Sequence, residues 1–105
     1  MTGERVAIGS LDDFPQGAKR VDAGTHRVAV VRIGDDFYAL GDRCTHADYS
    51  LSEGEVYEED LELECWKHGS TFSLKTGRPT TLPATRPVPV YEIEVENDKV
   101  WLKLP

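Results

Sequence analysis

Cysteine is scarce in this chain: 105 residues contain two. One disulfide at most can form, which excludes a disulfide-stapled scaffold. Long apolar runs are also missing. No stretch approaches the roughly 18 residues needed for a membrane-crossing helix. The start, Met1-Thr2-Gly3-Glu4-Arg5, lacks the basic-then-apolar pattern of a signal peptide. Together these absences lead us to expect a cytoplasmic protein with no membrane contact, and a reducing compartment disfavours even the one disulfide. Positive charge is in deficit, with 12 Lys and Arg against 19 Asp and Glu. Nucleic-acid binding needs a basic face, so no nucleic-acid partner is expected. Repeats, low-complexity runs and convincing helical periodicity are absent too. The length leaves room for one domain, residues 1–105, and the 39% hydrophobic content supplies a small core.

The net charge of −7 has a location. Residues 53–64 contain Glu53, Glu55, Glu58, Glu59, Asp60, Glu62 and Glu64 and no Lys or Arg, while the other 12 acids equal the 12 bases. Such a run reads as a solvated edge or as a steering surface for a basic partner.

Short strands account for most of the rest. Val6 to Ser10 reads as a strand, Ser10 as the cap of a single helical turn, and Ala18 to Val21 as extended. His26 to Ile33 is rich in Val and Ile and reads as a well-buried strand; Gly34-Asp35 turns it into Asp36 to Leu40. Val56-Tyr57 is a weak strand. Asp60 to Cys65 alternates, with Leu61, Leu63 and Cys65 on one face and carboxylates on the other. Thr71 to Leu74 is a further strand. Pro79, Pro83, Pro87 and Pro89 follow within eleven residues and specify a stiff loop, because proline fixes φ and cannot donate to a ladder. Val90 to Glu96 alternates with Tyr91, Ile93 and Val95 inward. It turns at Asn97-Asp98 and returns through Val100, Leu102 and Leu104. Many short strands with tight turns predict an all-β fold.

Both cysteines and two of the three histidines fall between residues 44 and 68. Cys44-Thr45-His46 is followed, after eighteen residues, by Cys65-Trp66-Lys67-His68-Gly69. Two thiolates and two imidazoles on two arms form a four-ligand set. A zinc finger usually takes both cysteines from one arm and both histidines from the other, whereas here each arm brings one of each. A structural zinc site remains an alternative on ligand type. His26, the third histidine, reads as a packing or surface residue.

This pattern, with Leu51, Gly54, Phe72, Gly77 and the Leu82-Pro83…Pro87 segment, resembles Rieske-type ferredoxins over nearly the whole chain. The resemblance implies a Rieske iron–sulfur fold of stacked antiparallel sheets with a small cluster-binding lobe. The base would be residues 1–41 and 79–105, the lobe about 42–78, and Leu82 to Pro87 a covering loop. It implies one [2Fe–2S] cluster, with Cys44 and Cys65 on one iron and His46 and His68 on the other, near the surface. It implies a monomeric one-electron carrier, not an enzyme, between an NAD(P)H-dependent flavoprotein reductase and a terminal non-haem iron oxygenase. A nitrite-reductase-like accessory subunit of a larger reductase shares the fold but often lacks ligands; all four are present here. Respiratory relatives add two cysteines that tie the loops together, and Tyr49 and Lys67 stand in those places. High-potential relatives place a serine and a tyrosine hydroxyl on the cluster sulfurs; Ser70 matches the serine, but Phe72 replaces the tyrosine.

Overall fold

The computed structural model describes residues 5–43, 49–66, 69–81 and 86–104, and among them nine strands and no α-helix. The strands are β1 (Arg5–Ser10), β2 (Gly17–Ala23), β3 (His26–Ile33), β4 (Asp36–Gly41), β5 (Val56–Tyr57), β6 (Glu62–Glu64), β7 (Thr71–Ser73), β8 (Val90–Glu96) and β9 (Lys99–Lys103). Six of them form one sheet in the order β1-β9-β8-β4-β3-β2; the other three form a small sheet in the order β5-β6-β7. Every pairing is antiparallel.

Strand β3 shows why its sequence is apolar without a break. Successive side chains point to opposite faces, and both faces of β3 meet a core. Ala29 and Val31 join Leu40, Leu51, Leu63, Cys65, Phe72, Leu74 and Val88 on one side. Val28 and Val30 join Phe14, Ala23, Ala39, Val100 and Leu102 on the other. The first cluster glues the small sheet onto the large one; the second fills the curl of the large sheet. Stacked antiparallel sheets are thus the direct result of a strand buried on both faces.

The turns follow their chemistry. Asn97 and Asp98 both have positive φ, 53° and 63°, as a two-residue hairpin turn between β8 and β9 requires. Ser10 precedes a one-turn 3-10 helix, Leu11–Asp13. The Asp13 carboxylate accepts from the Ser10 N–H at 2.9 Å, which holds its pKa below the ordinary carboxylate value.

Two local expectations are corrected. The alternation from Asp60 predicts a six-residue strand, but β6 holds only three residues. Leu61 lies in a turn at φ 53°, its carbonyl accepting from the Leu74 N–H at 2.8 Å. Leu63 and Cys65 do share the buried side. Val95, expected inward, is 45% exposed, because the hairpin tip from 95 to 99 stands clear of the core.

Candidate metal centre

Three loops leave the two sheets close together, and their roots are tied to one another. The first follows β4. The Asp42 N–H donates to the Arg27 carbonyl at 2.9 Å, holding the chain on β3 for one residue more. The Asp42 carbonyl then accepts from the Leu51 N–H at 2.6 Å, and its Oδ1 from the Ser52 N–H at 2.8 Å. Arg43 and Ser50 pair as an isolated bridge. That bridge holds the two described ends of this segment together, and Cys44 and His46 fall between them in sequence.

The second loop follows β6. The Cys65 N–H donates to the Ser70 carbonyl at 2.6 Å, and the Gly69 N–H to the Cys65 carbonyl at 2.9 Å. Gly69 sits at φ 75°, and among the described residues a Cβ there would meet nothing closer than Glu64 Oε2 at 3.8 Å, so backbone conformation is a reason for glycine here. Cys65 is fully buried in the apolar cluster with Leu51, Leu63, Phe72 and Leu74. The third loop is anchored at Thr80 and Thr81. The Thr71 N–H donates to Thr81 Oγ1 at 2.9 Å, and that hydroxyl donates to the Gly69 carbonyl at 3.3 Å. On the return, the Val88 N–H donates to the Gly77 carbonyl and the Gly41 N–H to the Pro89 carbonyl.

Of the four expected ligands, Cys65 is among the described residues; Cys44, His46 and His68 lie outside them, as do Lys67 and Leu82 to Thr85 of the expected covering loop. The roots on either side nevertheless meet. The ring of Tyr49, from the first loop, packs edge-on against Trp66 of the second, with centroids 5.0 Å apart and planes at 80°. Such a pair contributes about 0.5–1.5 kcal/mol beyond its buried area.

Among the described residues, Cys65 suits a two-iron cluster. A thiolate ligand belongs at a dry position, and Cys65 occupies one. Ser70, also fully buried, closes the same loop. Phe72 is buried in the Cys65 cluster and has no hydroxyl to offer. Outside, Glu53, Glu55 and Glu64 line one groove together with Trp66, which is 49% exposed. Partial burial, and then hydrogen bonding to Glu64, raise the pKa of the Tyr57 phenol beside them.

Asp42 is the residue that sequence reasoning missed. It is fully buried, yet its Oδ2 has no hydrogen-bond partner among the described residues and lies 3.9 Å from Arg27 Nη2. An Asp at a strand end, ahead of a loop, is a turn-forming signal that could have marked it.

The profile of the Rieske [2Fe-2S] domain family matches residues 4–92. The ferredoxin subunit of 3-phenylpropionate/cinnamic acid dioxygenase from Escherichia coli strain K12 is 42% identical over 102 residues, covering 96% of this chain and 94% of that protein. Among solved structures, the ferredoxin of carbazole 1,9a-dioxygenase from Nocardioides aromaticivorans IC177 is similar at a TM-score of 0.89 and 35% identity, over 93% of this chain and 95% of that one. A chain from a complex of reduced oxygenase and oxidised ferredoxin in carbazole 1,9a-dioxygenase matches at a TM-score of 0.85 and 39% identity, over 94% of this chain and 92% of that one.

Proposed function

Because this chain belongs to the Rieske [2Fe-2S] domain family, we propose that it is a ferredoxin that carries single electrons to a terminal non-haem iron oxygenase. It draws them from an NAD(P)H-dependent flavoprotein reductase. It works as a cytoplasmic monomer and is a component of an oxygenase system, not itself an enzyme. Its 105 residues form one domain, with the base at 1–41 and 79–105 and the lobe at about 42–78. The observation that carries this reading is the buried Cys65 at the root of a loop tied to its counterpart by the Tyr49–Trp66 contact. The relatives of similar length, themselves ferredoxins of dioxygenase systems, support the choice of partner.

Cys44, His46, Cys65 and His68 would hold the cluster, the cysteines on one iron and the histidines on the other. When bound, the [2Fe–2S] cluster supplies a one-electron couple. Leu51, Leu63, Phe72 and Leu74 keep water from Cys65. His46 and His68 would form the electron port, and Trp66 with the Leu82-Pro83 segment the docking rim. Glu53, Glu55 and Glu64, grouped beside Trp66, steer a basic partner toward it. Transient electron-transfer contacts are small, so long-range charge governs approach more than buried area does. Electron delivery should therefore slow as salt rises and the Debye length falls to about 3 Å at 1 M. Stopped-flow transfer rates that ignore ionic strength would remove the carboxylates from the docking account.

The whole reading is tested by visible spectroscopy and EPR before and after dithionite. A coloured protein that bleaches on reduction and shows mixed histidine–cysteine ligation is the expected result. Hydroxyl donors to the cluster sulfurs raise potential by stabilising the extra electron, and Phe72 supplies none. Redox titration should thus give a midpoint in the lower part of the range from roughly −150 to +300 mV, and Phe72→Tyr should raise it. A wild-type midpoint above about +150 mV would contradict the role given to Phe72.

A further inference from the structure

We propose that Asp42 sets the reduction potential of the centre through its charge, beyond its part in closing the first loop. The inference rests on the ferredoxin reading above. Asp42 is fully buried, and it stands two residues before Cys44. Two peptide units hold their Cα atoms within about 7.6 Å. One carboxylate oxygen, Oδ1, is engaged by the Ser52 N–H at 2.8 Å. The other has no hydrogen-bond partner among the described residues. It faces the Arg27 guanidinium, whose Nη2 is 3.9 Å away and also donates to Ser50 Oγ at 3.2 Å.

The two charges are not equal in reach. The Arg27 side chain is 40% exposed, and Arg43, on the same cleft wall, is exposed as well. Water and salt screen both. The Asp42 carboxylate is fully buried, so water and salt screen it less than they screen either arginine, and Arg27 at 3.9 Å offsets part of its field but not all of it. An electron arriving at the centre adds one negative charge there. A buried carboxylate nearby opposes that charge and holds the potential down. The same side chain fixes the loop through a neutral feature, an oxygen that accepts from a backbone N–H. Position and charge can therefore be separated by experiment.

Asp42→Asn retains an oxygen for the Ser52 N–H and removes the charge. Purified holoprotein is expected to keep its iron content and visible spectrum while its midpoint, measured at one fixed pH, moves positive. The shift should survive high salt. Glu58→Gln, which removes an equal charge from an exposed site, should move the midpoint less and lose that effect in salt. A purely structural role for Asp42 would lower cluster content without a salt-resistant positive shift. A fully loaded Asp42→Asn protein with an unchanged or lower midpoint overturns the proposal. If that variant does not load, Asp42→Ser supplies another neutral acceptor and the same comparison. Failure of both neutral variants to load also overturns it, since the charge would then be needed for assembly rather than tuning. Wild-type protein without a Rieske spectrum sinks the ferredoxin reading itself; an intact spectrum with an unmoved potential sinks this inference alone.

Discussion

Gly54→Ala is expected to destabilise the protein by roughly 3–5 kcal/mol and to strip it of its cluster, the sum of overpacking and lost backbone hydrogen bonds. A Cβ at position 54 would lie 1.6 Å from the Glu64 carbonyl oxygen, 2.8 Å from its carbon and 3.2 Å from the Leu51 oxygen. All three are backbone atoms, so no side chain can swing aside. Relief requires moving the end of β6, where the Glu64 N–H donates to the Glu55 carbonyl at 2.8 Å and Glu64 pairs with Thr71. Cys65 is the next residue, so the strain passes directly to an expected ligand. Overpacking alone costs about 1–3 kcal/mol, and each backbone bond lost adds about 1 kcal/mol. Small domains hold only about 5–15 kcal/mol in total. Gly69→Ala is the control: there the penalty is a left-handed backbone, with no crowding of a Cβ among the described residues, costing about 1–2 kcal/mol. Urea denaturation of the two variants measures both. A Gly54→Ala protein within about 1 kcal/mol of wild type would refute the packing described for this turn.

Glycine 54 also marks how far the residues alone could be read. Its φ of −86° is open to any amino acid, so no turn rule identifies it as obligatory. The reason is a carbonyl ten residues away, visible only in three dimensions. The alternation in β8 and β9 and the unbroken apolar run of β3 were legible because they follow from a period of two and from burial on both faces. Leu61 was misplaced for a related cause. Alternation registers which side chains want burial, and Leu61 obtains partial burial from a turn as readily as from a strand. The motif gave the expected ligand types, since two sulfurs and two imidazoles at fixed spacing carry their chemistry in the chain itself. It gave no sign that Tyr49 would meet Trp66, because aromatic contacts between loops depend on how the roots are placed. Asp42 was passed over for a different reason: its turn signal was present, but a lone acidic residue among 19 Asp and Glu looks solvated until its burial is known.

Removal of one sulfur gives the other large effect. Cys65→Ala should yield protein without iron, sulfide or visible colour, yet with most of its strands in place. Cys65 is fully buried with Leu51, Leu63, Phe72 and Leu74, where a cysteine without metal behaves as a small hydrophobe. Alanine keeps that character and leaves a cavity of about one atom, so its direct cost is about 1 kcal/mol. The larger loss is indirect. Ligands scattered in the unfolded chain bind metal poorly, so cluster binding contributes to folding free energy, and the variant forfeits all of it. Far-UV circular dichroism, iron and sulfide assays and thermal melts separate these terms. Apo wild type and Cys65→Ala should melt close together, both well below holoprotein. Full iron and sulfide in Cys65→Ala would mean that this sulfur is only packing, and the four-ligand assignment would fail with it. One zinc per chain in colourless wild-type protein, isolated anaerobically from iron-replete cells, would fail it from the other side, because the dry pocket around Cys65 would then hold a structural ion with no electron to pass on.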